Sequence, residues 1–169
     1  MHPDRPKRGA GLPARYARCF VSNLGLEPIY IADALITLSG GDTSHTTNVT
    51  DRTQLTDREL ENPREATNQG PMSTGDHSSI DDFAALIDRA LAGAPKELDL
   101  DLVETVQVTV IAATAARGQL VGARRAFALE CEGGDRKLRA RTVMAEQVKG
   151  RAGRRALQRD LENRLQIDQ

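Results

Sequence analysis

The chain has no tryptophan, and aromatic residues occupy only 3% of its 169 positions. Base-stacking platforms and aromatic shelves for sugars need more rings than that. Cysteine is scarce too: Cys19 and Cys131 are the only two, and neither has a CxxC or histidine-spaced neighbour that would form a metal-ligand set. They read as free, buried, small hydrophobes. The alternative, a disulfide between two sheets, needs an oxidising compartment. Long apolar runs are missing. No stretch approaches the roughly 20 residues of a membrane span, and the longest, Pro28 to Leu38, is interrupted by Asp33 and fits a buried strand. No apolar segment follows the basic opening MHPDRPKRGAGLPAR, so no secretory signal is expected and the expected location is the cytoplasm. The sequon Asn48-Val49-Thr50 means nothing without secretion. Net charge is nearly absent, at −1, which argues against a dedicated polyanion binder. No G-x-S-x-G, P-loop or G-x-G-x-x-G occurs, so catalytic and cofactor-binding residues are none and the expectation is a non-enzyme without cofactor.

What is present is a succession of strand patterns. Residues 1–14 are rich in Pro, Arg and Gly and read as a flexible tail. The first strand runs from Tyr16 to Val21, and Asn23-Leu24-Gly25 supplies turn chemistry. A second strand runs from Ile29 to about Leu38, with Pro28 before it, where a missing N–H is tolerated. Its run Ala34 to Leu38 is apolar on both faces. In Val103 to Ala112, Val106, Val108 and Val110 alternate with Thr105, Gln107 and Thr109, the period of two that marks a half-buried strand. In Leu120 to Glu132, Val121, Ala123, Phe127, Leu129 and Cys131 share one face. Gly133-Gly134-Asp135 is a hairpin turn. Lys137 to Val148 then reads as one strand, with Leu138, Ala140, Thr142 and Met144 inward and Lys137, Arg139 and Arg141 outward.

Two helices stand out. Ser79 is placed to cap the first, with Asp81 and Asp82 at the positive end of its dipole. Ile80, Phe83, Ala84, Ile87, Ala90 and Leu91 form its apolar stripe, and Gly93 and Pro95 end it. The second runs from Arg151 to about Gln166, where Leu157, Leu161 and Leu165 repeat every four residues beside Arg154, Arg155, Arg159 and Arg164. Between strand patterns, Gly40 to Ser79 is dominated by Thr, Ser, Asn, Asp and Gly, with Val49, Leu55, Leu60 and Met72 its few large apolar residues. That composition predicts a disordered or loosely held insertion, with one short helix near Thr56 to Glu65.

The histidines, His2, His45 and His77, all fall in segments read as flexible, where a general base has no fixed geometry. His45 and His77 with Asp76 or Asp42 match no metal-ligand spacing. Asp99 and Asp101 are read as a solvated pair on one strand face. Charge is polarised along the chain: residues 40–104 hold five basic against fourteen acidic residues, and residues 105–169 hold thirteen basic against seven acidic. Arginines outnumber lysines nineteen to four, which suits bidentate contacts to carboxylate or phosphate.

The segment Cys19-Phe20-Val21-Ser22-Asn23-Leu24-Gly25-Leu26-Glu27-Pro28-Ile29-Tyr30-Ile31 resembles the opening of small bacterial immunoglobulin-like β-sandwich domains of uncharacterised proteins, where V-x-N-x-G-x-x-P-V-x-I joins the first two strands. Pro95-Lys96-Glu97-Leu98 through Val110 is similar to their acidic, strand-leading segment. Val121-Gly122-Ala123-Arg124 through Arg141 is similar to their V-x-A-x-V-x-D-x-x-G-R-x-x-R-x-R hairpin, with Cys131-Glu132-Gly133-Gly134-Asp135 in place of the usual D-x-x-G. The likeness covers residues 16–38 and 95–142 and carries no catalytic residue. It implies a mostly β, immunoglobulin-like sandwich over residues 15–148, interrupted by a disordered and helical insertion at 40–95 and followed by a C-terminal helix at 149–169. The expected function is a non-enzymatic protein-interaction module that docks an unknown protein through edge strands or the C-terminal leucines. The alternative is nucleic-acid or anionic-ligand binding. The candidate partner-binding residues are Arg139, Arg141, Arg151, Arg154, Arg155, Leu157, Arg159, Leu161 and Leu165.

Overall fold

The computed structural model describes residues 18–49 and 69–167, with side chains described to residue 163. The tail at 1–14, Tyr16 and Ala17 of the first strand, the helix expected near Thr56 to Glu65, and the side chains of Arg164 and Leu165 lie outside the described residues.

The fold is mostly β, with antiparallel pairing throughout and two helices among the described residues. The strands are β1 (Arg18–Ser22), β2 (Ile29–Gly40), β3 (Thr43–Asn48), β4 (Gly70–Met72), β5 (His77–Asp82), β6 (Thr105–Thr114), β7 (Leu120–Glu132), β8 (Asp135–Ala140) and β9 (Glu146–Val148). The helices are α1 (Phe83–Gly93) and α2 (Gly150–Ile167). Seven strands form one sheet in the order β3-β2-β6-β7-β8. β4 also pairs with β2, and β9 with β7. β1 and β5 form a separate two-stranded ribbon.

The long strands β2, β6 and β7 are the middle of this sheet because their apolar residues alternate. On one face Ile36, Leu38, Val106 and Val108 are buried beneath Phe83, Leu86, Ile87 and Ala90 of α1 and beneath the ribbon. Phe83 meets Phe127 edge to face at 5.0 Å between centroids. Burial of these aliphatic and aromatic side chains is the main favourable term, roughly 1.5–3 kcal/mol for each one fully removed from water. An irregularity between Ile31 and Asp33 shifts the register of β2 against β6, so that odd-numbered Ile31 and even-numbered Ala34, Ile36 and Leu38 join the same core. On the opposite face a smaller cluster forms from Leu35, Ile111, Val148 and Leu157 of α2, with Leu120 and Leu161 packed against it. Leu157 fits because position 122 is glycine: a Cβ there would lie 3.0 Å from both Leu157 methyls and 2.8 Å from the Val110 carbonyl oxygen.

Four sequence expectations change. The insertion read as disordered contains three strands, β3, β4 and β5, and its apolar residues Val49 and Met72 are fully buried. Ser79 does not cap α1. It lies in β5 opposite Phe20, and Asp82 is the cap, accepting the Ala85 N–H at 2.8 Å on Oδ1. Ile80 is correspondingly a buried strand residue. Asp99 and Asp101 sit in a turn, where Asp99 Oδ1 accepts the N–H groups of Asp101 and Leu102, and Asp101 pairs with Arg136. Finally, the strand expected from Lys137 to Val148 breaks at Arg141–Ala145 into β8 and β9.

Candidate protein-interaction surface

The candidate residues separate into three groups. Leu157 is fully buried and Leu161 is half-buried against the chain's own sheet, so the described part of the leucine stripe faces inward. Arg154 turns to the β6–β7 connection, where its Nη1 donates to Gln119 Oε1 at 2.7 Å. Neither contact leaves its residue free for a partner.

Arg151, Arg155 and Arg159 form the second group. Their spacing of four puts them in one row on α2, about 6 Å apart along the axis at 1.5 Å rise per residue. All three are exposed, and none makes an ion pair among the described residues. Like charges at i and i+4 destabilise a helix by a few tenths of a kcal/mol per pair. The first turn of α2 has no acidic residue to offset its positive end, and it contains Arg151. The row therefore weakens the isolated helix, and an anionic surface would relieve it.

Arg139 and Arg141 form the third group, on the sheet face that α2 occupies at its other end. Arg139 pairs in register with Ala128, and Arg141 donates its backbone N–H to the Ala126 carbonyl. Arg139 Nε lies 3.1 Å from Glu130 Oε2, and Arg141 Nη2 donates to Thr105 Oγ1 at 2.8 Å. Inward from these arginines the uncovered face is lined by small or hydroxylated side chains: Ala126, Ala128, Thr105, Ser39 and Thr37. Arg124, also on this face, is held to Asp160 of α2 at 3.1 Å.

Directly after this rim the chain leaves the sheet. Arg125 lies above the Phe127 ring on the opposite face and donates from Nη2 to the carbonyl of Val143 at 3.3 Å and, more weakly, of Thr142 at 3.5 Å. Thr142 Oγ1 donates to the Met144 carbonyl at 2.6 Å. The turn is thus fixed by polar contacts, and it projects Val143 and Met144 into solvent, 94% and 75% exposed. Sequence alternation had placed Met144 inward on a continuous strand. The grip of Arg125 is non-local and leaves no mark in the sequence near Val143.

Elsewhere the chemistry is sparse. Both cysteines are free. Burial pushes the Cys19 thiol up from its ordinary 9.0 to about 11, partly opposed by the positive charge of Arg125. Cys131 is exposed on β7. Iodoacetamide at pH 8 is therefore expected to alkylate Cys131 readily and Cys19 at least tenfold more slowly, as read by peptide mass spectrometry. The same shift makes Cys19 a pH-linked contribution. An unfolded thiol ionises near 9 while the folded one keeps its proton, so its contribution is intact below pH 9 and is lost as pH rises from 9 to about 11. Equal alkylation rates at the two cysteines would contradict this placement.

Among the described residues, no group of three His, Cys, Asp or Glu side chains is placed to hold a metal ion, and no helix is long and apolar enough to cross a membrane. No protein-family model matches the chain, and neither a curated protein nor a solved structure matches it. The class established is that of the fold itself: a mostly β protein built on a seven-stranded antiparallel sheet with helices on both faces.

Proposed function

We propose that this chain is a non-enzymatic protein-interaction module whose partner offers an acidic segment carrying apolar side chains. The observation that carries this reading is the adjacency of Arg139 and Arg141 to the exposed, polar-anchored Val143 and Met144. Guanidinium groups favour carboxylates in paired geometry, and an exposed apolar pair gains only by leaving water. Phosphodiester backbones reward the first feature and not the second. The unpaired row Arg151, Arg155 and Arg159 adds long-range attraction for the same partner. Leu157 acts from within, by holding α2 on the sheet. The immunoglobulin-like reading belongs to this proposal: the β1–β5 ribbon would be the reduced second sheet of a sandwich, and such sandwiches commonly serve as binding scaffolds.

The second reading, a nucleic-acid or anionic-ligand binder, is favoured by the helical arginine row alone. Fluorescence anisotropy separates the two. An amphipathic peptide alternating Glu and Leu is expected to bind at about 0.15 M salt, whereas polyglutamate and single-stranded RNA of equal charge bind weakly and lose affinity steeply as salt rises. Val143→Ser with Met144→Ser should weaken the amphipathic peptide at least tenfold and leave RNA unaffected. RNA binding as tight as the peptide's, insensitive to the double substitution, would replace this reading with the second.

A further inference from the structure

We propose that β3 is a self-pairing edge through which two copies of the chain join antiparallel, continuing one seven-stranded sheet into another. Exposed sheet edges usually carry charge, proline or a bulge, because an unprotected row of N–H and C=O groups pairs with any suitable strand. The two edges of this sheet differ in that protection. β8 carries Asp135, Arg136, Lys137 and Arg139. β4 is three residues long with Pro71 at its centre, and β9 is also three residues long. β3 has none of these devices. Its sequence, Thr43-Ser44-His45-Thr46-Thr47-Asn48, holds no carboxylate, lysine, arginine or proline, and its register with β2 runs from Asn48↔Leu35 to Thr43↔Gly40 without a shift. No described strand pairs with its outer side.

The hydrogen-bond phase of the ladder identifies the free groups. The Val49 N–H donates to the Ala34 carbonyl at 2.9 Å, so Thr47, His45 and Thr43, at alternate positions, direct their backbone groups toward β2. Ser44 and Thr46 therefore direct theirs outward. On the open face, Thr46 and Ser44 are tied back to β2 through Thr37 at 2.8 Å and Ser39 at 3.3 Å. On the other face, His45 reaches the last turn of α1 beside Gly93. The strand is held flat from both sides, with its outer polar row presented.

The occupant is a second copy because the strand suits itself. With a twofold axis at His45, Ser44 of one copy faces Thr46 of the other, and each such pair exchanges two main-chain hydrogen bonds. Small hydroxyl residues meet small hydroxyl residues, and no like charges oppose. The same operation on β8 would bring Arg136, Lys137 and Arg139 close to their own copies. A closed twofold contact also uses up the edge and stops further growth.

Light scattering of the full-length chain under reductant, so that a Cys131 disulfide cannot imitate the contact, tests the idea. The expected result is a monomer–dimer equilibrium with dimer accumulating between about 10 and 500 µM, as a short polar contact that must offset association entropy implies. Thr46→Pro removes an outward donor without touching the β2 ladder, a position where edge strands tolerate proline. It should shift the midpoint at least tenfold toward monomer while leaving thermal unfolding of the dilute protein within a few degrees. Ser44→Lys, which keeps the backbone donor, should do the same by setting like charges across the axis. A monomer throughout this range overturns the proposal, as does a dimer that both substitutions leave intact.

Discussion

Replacing Leu157 by alanine is expected to lower the unfolding free energy by about 3 kcal/mol, within the 2–5 kcal/mol range of large-to-small changes in packed cores. Leu157 is fully buried among Leu35, Ile111 and Val148, and nothing else described on α2 penetrates as deeply. The glycine at 122 lets the leucine approach the sheet, so the cavity left by alanine has a rigid floor of backbone and cannot easily collapse. Urea unfolding followed by circular dichroism measures the loss, and Leu157→Met, which conserves volume, should cost less than about 1.5 kcal/mol. A loss below about 1 kcal/mol for alanine would mean that α2 contributes little to the fold and that its docked position is not maintained by this contact.

Gly40→Ala is expected to be at least as damaging, about 3 kcal/mol or more, for a different reason. A Cβ at position 40 would stand 1.8 Å from the Leu102 carbonyl oxygen and 2.6 Å from its carbonyl carbon. Both are backbone atoms, so no rotamer change relieves the clash. The segment before β6 must shift, and with it the hydrogen bond from the Glu104 N–H to the Ser39 carbonyl. The neighbour provides the control. Gly41 has open space around its would-be side chain but a φ of +55°, so Gly41→Ala carries only the left-handed backbone penalty, about 1–2 kcal/mol. Equal melting temperatures for the two variants would show that the Leu102 loop gives way freely.

How much was legible in the sequence follows from where period and local chemistry agree. β7 was read with its observed bounds, Leu120 to Glu132, because its alternation and the Gly133-Gly134 turn point the same way. β3 was missed because Thr43–Asn48 has no apolar alternation; its side chains suit a pleated surface, but its stability comes from β2. The start of α1 was misplaced because Ser79 and Ile80 satisfy the helical pattern, while pairing with β1 draws them into a strand. Of the site, the arginines were visible by count, but their division was not. Arg154 faces Gln119, and Arg139 and Arg141 belong to the sheet, because side-chain direction depends on packing between distant elements. Val143 and Met144 were assigned to a strand since nothing nearby signals the hold of Arg125.

The two short strands along the outer side of β2 dock on separate stretches of it, β3 on Leu35–Gly40 and β4 on Ile29–Ile31. Neither ladder transmits its alignment to the other. The chain joining them can therefore lengthen or shorten over evolution without disturbing either pairing, at a closure cost that grows only as the logarithm of its length. That makes the β3–β4 connection the place where relatives of this protein can diverge most cheaply while keeping the same sheet.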